Sequence, residues 1–223
     1  MSKFFAADDA GLRAEILRLF GPDRLAGYFT DARGLADRAL QIYVWNAALG
    51  GAFLPAIGAV EVSLRNALSD QLSNAFTAPW YDDSSFIAID RNALATGIVR
   101  AKRHITAKGK PVTPSRMVAQ LTFGFWVMLL RPSYARSLWP ILRPAFAAHT
   151  RRSRATDAFD PLVGFRNRLA HHHLLYDRDP HIMYERLMAG ARLLSPELAE
   201  WIEHHSRIRQ LLSGGPIQPA LLF

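Results

Sequence analysis

Residues 165–173 read Phe-Arg-Asn-Arg-Leu-Ala-His-His-His. Arg166 and Asn167 stand side by side, and His171, His172 and His173 follow closely. Together these side chains suit cleavage of RNA through its own 2′-hydroxyl. Imidazole titrates near neutrality, so a histidine can take the 2′ proton or protonate the leaving oxygen. A guanidinium can neutralise charge that builds on the phosphoryl oxygens. An asparagine amide can hydrogen-bond phosphate or orient the imidazole. The plainer reading is a solvated helix face, or histidines satisfied by hydrogen bonds in the core, because these residue types are also common at surfaces.

Spacing separates the three histidines. The pattern predicts a helix over about 161–176, and residues on a helix step by ~100°. Arg166 and His171 then point ~140° apart and do not share a face. Asn167 and His171 do share one, being four apart. Arg166 with His173, and Arg168 with His172, make two further pairs. Consecutive histidines on one helix cannot converge on a metal ion. His173 with Asp177 is the one metal-like spacing, and Asp177 is placed past the predicted helix end, so no metal ligands are assigned. No nucleophilic serine or cysteine motif, Gly-rich phosphate loop or HExxH is present.

The elements that must position these residues read as helices. Asp8 or Asp9 can cap a first helix through Phe20, ended by Gly21. Pro22 opens a short one to about Phe29. Helices are expected at about 35–49 and from Pro55 in a first turn to about Phe76, meeting at a bend. In the second, Val60, Leu64, Leu68 and Leu72 make an apolar stripe. Residues 78–90 are expected to be a loop that covers apolar surface with Trp80, Tyr81 and Phe86. A basic helix follows at about 90–106. Thr113 and Pro114 then start a helix that contains LTFGFWVMLL, read as core packing with Gly124 at a close helix approach and Trp126 as an anchor. Ser133 begins another to about Phe146, and HTRRSRATD is a polar connection. After the 161–176 helix and a DRDP break come helices at 181–194 and from Ser195 to about Leu212. The fold class is all-α. A helical N-terminal arm spans 1–33, the main helical domain 34–212 and a tail 213–223.

Residues 39–60 carry no formal charge and have the length of a membrane span. Gln41, Asn46 and the GGAFLP break argue instead for buried helices, so no membrane partner is expected. No signal peptide is evident at the N-terminus. The chain lacks cysteine, which excludes disulfides and zinc-thiolate sites and suits a reducing, cytoplasmic setting. Half the residues are apolar, enough for a real core in 223 residues. The net charge is +8, with 23 arginines and four lysines. Such a surplus suits phosphate-bearing partners, because guanidinium grips phosphate bidentately. Candidates for RNA contact are Arg100, Lys102, Arg103, Lys108, Lys110, Arg151, Arg152 and Arg154; each could equally be a solvated charge.

Arg-Asn-Arg-Leu-Ala-His, residues 166–171, resembles the R-N-x-x-x-H motif of the HEPN superfamily of helical ribonucleases. Three stretches, in order, resemble its Abi-like (abortive infection) branch: YVWNAALGGAFLPAIGAVEVSLRNALSDQL, LTFGFWVMLL, and RNRLAHHH with the DRDP break and a closing SPELAEWI. The resemblance spans about 35–202. It implies a HEPN-like helical bundle with additional N-terminal helices. It also implies a homodimer, and a metal-independent endoribonuclease that leaves a 2′,3′-cyclic phosphate. Such proteins often act as toxins in phage defence, with an antitoxin as a further candidate partner. The motif carries over to Arg166, Asn167 and His171, while its spacing admits His172 and His173 as accessory candidates. If two motifs face each other across a two-fold axis, Arg166 of one subunit can work beside His171 of the other. Arg65 and Asn66 also match the family; either they line the RNA cleft, or Arg65 simply pairs with Glu61 four residues before it. The rival functions are a catalytically silent RNA-binding module and a protein-interaction module.

Overall fold

The computed structural model describes residues 10–76, 79–175 and 179–216. Among these the chain is all-α, with twelve α-helices joined by short turns and no strand. The chain forms two compact units, each gathered from separate stretches.

The first unit comprises Met1–Ala56, Phe165–Tyr184 and His205–Phe223. It opens with α1 (Ala10–Phe20) and α2 (Pro22–Asp31). The caps assigned to Asp8 or Asp9 lie outside the described residues. Pro22 takes the first position of α2, where its missing N–H costs nothing. Leu25 and Tyr28 of α2, with Ala32 at its C-cap, bury themselves with Ala39 and Ile42 of α3 (Ala36–Ala75), and Leu174 packs at the edge of this cluster. The Tyr28 and Tyr43 rings meet with centroids 5.2 Å apart, and burial pushes the Tyr28 hydroxyl up to about 12. Trp45 Nε1 donates to the Leu211 carbonyl at 2.9 Å, which ties in α12 (Ile208–Gly214).

Helix α3 corrects the expectation of two helices meeting at a bend. It is one helix of 40 residues with Pro55 inside it. Gly50, Gly51 and Pro55 together cost about 5 kcal/mol of helix propensity. Against this, Leu49, Phe53, Ile57 and Val60 are fully or almost fully buried, each contributing roughly 1.5–3 kcal/mol. Their spacing continues the Leu64, Leu68, Leu72 stripe in register only if the helix runs through unbroken. Helix α3 is long and apolar enough to cross a membrane by length and composition, yet this buried stripe is what a core helix needs.

The second unit comprises Ile57–Gly164 and Glu185–His204. The described part of the expected loop, residues 79–90, is more than a loop: a single turn at Trp80–Asp82 leads into α4 (Ser84–Ile89). The Asp83 carboxylate caps α4 by accepting from Ser85 N at 2.8 Å and Phe86 N at 3.3 Å. Trp80, Tyr81 and Phe86 are buried, and Trp80 packs edge-on against Phe86 and Trp126. Trp80 Nε1 finds Ser69 Oγ at 3.3 Å. Helix α5 (Ala93–Ala107) packs closely on the next segment, since a Cβ at Gly97 would sit 2.7 Å from the Phe125 ring.

The single helix expected after Thr113 is two, α6 (Pro114–Gln120) and α7 (Phe123–Met128), divided at an extended Leu121. Thr122 caps α7 by accepting from Phe125 N at 3.2 Å. The helix expected from Ser133 reduces to short turns around α8 (Trp139–Leu142), because Pro140 and Pro144 within that span lack the N–H a continuous ladder needs. Helix α9 (Arg152–Ala170) begins inside the stretch read as a polar connection, and α10 (Pro180–Leu194) follows it. Ser195 Oγ accepts from Leu198 N at 3.1 Å and caps α11 (Pro196–His205), which ends well before the expected Leu212.

Candidate functional site

The Arg-Asn-x-x-x-His residues sit at the C-terminal end of α9, in the first unit. The underside of this helix end is apolar. Phe165 meets Phe53 edge-on with centroids 5.0 Å apart, and Leu169 is buried against Gly50 of α3, where a Cβ would sit 3.6 Å from Leu169 Cδ2. The opposite side carries the polar residues. Arg166 is half-buried, while Asn167 and the three histidines are exposed.

The helix stops at Ala170, six residues before the expected end. His172 has φ 54°, in the left-handed region, where histidine is more tolerated than most non-glycine residues. His172 N donates to the Leu169 carbonyl at 3.0 Å and His173 N to the Arg168 carbonyl at 2.9 Å. This pair of bonds is a Schellman C-cap with histidine in the place usually held by glycine. Face-sharing of Arg166 with His173, and of Arg168 with His172, therefore fails: those histidines lie beyond the helix. His171 also stands past the last residue of α9, but Asn167 and His171 keep helical spacing in the backbone. His171 N donates to the Asn167 carbonyl at 3.1 Å, the last i to i+4 bond of the ladder. The His171 and His173 rings stand edge to face, 6.2 Å between centroids.

The backbone that follows is clamped carbonyl by carbonyl. Arg24 of α2 donates to the His172 carbonyl. Asn46 Nδ2 reaches the His173 carbonyl at 3.4 Å, and its Oδ1 accepts from Leu175 N at 2.8 Å. Arg168 Nη2 donates to the Leu174 carbonyl at 2.5 Å. Leu174 itself packs on α2 so closely that a Cβ at Gly27 would lie 2.8 Å from its Cδ2. These positioning residues do not stand out in the sequence. Asn46 leaves one signal there, as a polar residue within an uncharged apolar run; in the fold it is 7% exposed and spends its amide on two backbone groups. Asp177 lies outside the described residues. Among those described, no three histidine, aspartate or glutamate side chains gather as a metal site needs.

The remaining candidates belong to the second unit. Arg65 is half-buried on α3 with its Nε buried and lacking a hydrogen-bond partner, and Asn66 is exposed. Lys102 is engaged structurally, ion-paired with Asp82 and placed 5.6 Å from the centre of the Tyr81 ring. Arg100 and Arg103 line an open groove of about 650 Å³ along α5 with Val99 and His104. Lys108 and Lys110 are exposed just past α5. Arg152 turns inward, donating to the Leu130 carbonyl at 3.0 Å and to Thr156 Oγ1 at 3.1 Å, whereas Arg151 and Arg154 border a cleft.

What the fold and this helix end define is an all-α protein presenting an Arg-Asn-x-x-x-His set on a capped, clamped helix terminus. The family model described as Abi-like protein matches residues 24–177, well over half of the chain, and the chain belongs to that family. The match takes in most of α2, Arg24 included, as well as the whole helix terminus. No curated protein matches the chain, and no solved structure does.

Proposed function

We propose that this Abi-like protein is a metal-independent endoribonuclease of the HEPN superfamily, acting as an abortive-infection effector. The observation that supports the reading is the helical backbone bond from His171 N to the Asn167 carbonyl at the end of α9, with the imidazole exposed and the backbone beyond it held from three sides. In the reaction His171 takes the proton of an RNA 2′-hydroxyl. The 2′ oxygen forms a bond to the adjacent phosphorus, and the bond from phosphorus to the 5′ oxygen breaks. The leaving oxygen receives a proton, and the products are a 2′,3′-cyclic phosphate and a 5′-hydroxyl. Arg166 offsets the charge on the non-bridging oxygens, and Asn167 holds phosphate or the imidazole.

Arg166 and His171 diverge by ~140° in helical projection, so one subunit presents them poorly to a single phosphate. Two subunits related by a two-fold axis resolve this, with Arg166 of one beside His171 of the other. The test is RNA cleavage in excess chelator by the wild type and by His171→Ala and Arg166→Ala. Both variants lose activity by about 100-fold or more, the usual weight of a general acid–base group, and the wild-type product carries a cyclic phosphate end. Equal cleavage by all three proteins overturns the assignment.

A further inference from the structure

The basic cluster at the start of α9 divides by direction. Arg152 is turned into the protein. Arg151 and Arg154 instead line a cleft of about 520 Å³ together with His149, Ser153, Asp157 and, from α10, Arg186. All lie in the second unit. Arg186 is held in place, since its Nη1 donates to the Asp157 carbonyl at 2.8 Å. The turn that presents His149 is also fixed. Ala147 N donates to the Leu193 carbonyl at 2.8 Å, Thr150 Oγ1 to the Ala147 carbonyl at 2.6 Å, and His149 itself sits at φ 61°. A non-glycine residue in that conformation persists only where its surroundings impose it.

The charges in this cleft are unbalanced. Among the described residues Arg151, Arg154 and Arg186 form no ion pair with a carboxylate. Three guanidinium groups and an imidazole share the lining with one acid, Asp157. The first turn of α9 has no acidic residue to offset the partial positive charge of its N-terminus. An anion entering the cleft would relieve that repulsion, and guanidinium pairs best with phosphate oxygens. No phenylalanine, tyrosine or tryptophan lines the cleft and His149 is its one ring, so guanidinium groups dominate the lining over stacking platforms. A nucleotide bound through its base is therefore a poor fit, while a sugar-phosphate backbone is a good one.

We propose that this cleft binds the phosphodiester backbone of an RNA strand through Arg154 and Arg186, without reading base identity. The choice of RNA over free phosphate rests on the ribonuclease reading. Arg186 has no place among the sequence candidates because it is distant from the cluster along the chain.

The test uses the full chain with His171→Ala, so that RNA persists, and measures binding of labelled single-stranded RNA oligomers across a salt series. Arg154→Gln alone is compared with Arg154→Gln/Arg186→Gln. The Arg154 side chain makes no hydrogen bond within the described residues, so the single variant probes charge without disturbing the fold. The double variant binds about tenfold more weakly at low salt, and its salt slope falls by roughly 1.4, near 0.7 for each phosphate no longer neutralised. The single variant shows about half of that slope change, and Arg154→Lys recovers most of the affinity. The losses are equal for uridine-rich and adenosine-rich oligomers. Unchanged affinity and slope in both variants overturn the proposal. So does a loss seen with inorganic phosphate but not with RNA, or one confined to a single base sequence. Binding is read without turnover, so the two readings fail separately. A chain that binds RNA through these arginines yet never cuts it keeps the cleft and removes the ribonuclease. A chain that cuts RNA at the wild-type rate and binds it as tightly with both arginines replaced does the reverse.

Discussion

His171, His172 and His173 have one chemistry and three different structural situations. His171 takes the last helical hydrogen bond, His172 occupies the left-handed position of the cap, and His173 closes the Schellman pair. Glycine suits the second of these better than histidine does. His172→Gly should therefore leave the fold as stable or raise stability by about 0.5–1 kcal/mol, with RNA cleavage within about twofold of wild type. A loss of cleavage as deep as that of His171→Ala would instead make His172 catalytic; thermal unfolding and a cleavage time course decide. Asn46 is the residue on which the following backbone depends. Asn46→Leu keeps the branched shape but strips partners from Leu175 N and the His173 carbonyl. It should cost roughly 2–3 kcal/mol in denaturant unfolding, and lower cleavage although Asn46 touches no phosphate. A variant with unchanged stability would show the clamp to be incidental.

Elements in this protein are delimited by side chains more than by propensity. Helix α3 runs through two glycines and a proline because its buried stripe needs one register. Helix α9 stops where left-handed His172 allows a cap, not where the helix-breaking DRDP stretch stands. The start of α5 is held in a third way. Asp90 accepts from Ala93 N at 2.9 Å and from Asn92 N at 3.1 Å, while the Tyr134 hydroxyl donates to its second oxygen at 2.7 Å. The Ala93 N–H and then Tyr134 hold the Asp90 carboxyl below its ordinary value, and burial followed by Asp90 pushes the Tyr134 hydroxyl up. A depressed carboxyl contributes stability that is complete above its unfolded value, near 3.8, and is lost as pH falls through the folded value. Tyr134→Phe should accordingly be less stable than wild type at neutral pH, with the gap closing in acid below about pH 4. Urea unfolding of both proteins at pH 7 and pH 3 measures this, and a gap that widens in acid contradicts it.

At the scale of the whole molecule the proposed two-fold site makes a countable prediction. Arg166→Ala and His171→Ala subunits are each inactive alone. A mixed dimer has one composite site carrying both substitutions and one carrying neither. Equal mixing with free exchange should restore about one quarter of wild-type cleavage. No recovery, with a mixed dimer demonstrated by mass, places Arg166 and His171 of the same subunit in one site.

The all-α class, the core stripe of α3 and the caps at Asp83, Thr122 and Ser195 follow from local physics. Periodicity and capping depend on residues a few positions apart. Of these, the caps at Asp83 and Thr122 nonetheless escape a reading of the sequence, because the aromatic residues around them look like irregular cover or like one helix. The Arg-Asn-x-x-x-His set is also visible in one dimension, since a motif is itself a local pattern. The sequence by itself thus determined the all-α class, the apolar stripe of α3 and the residue types offered for chemistry. Tertiary structure decided where α9 ends, that Arg24, Asn46 and Arg168 fix the backbone behind the histidines, and that Arg186 joins Arg151 and Arg154 at a cleft. Each of these joins groups from different elements or depends on the backbone path between them, and residue spacing does not encode that proximity. Only burial and hydrogen bonding in the folded chain bring such groups together.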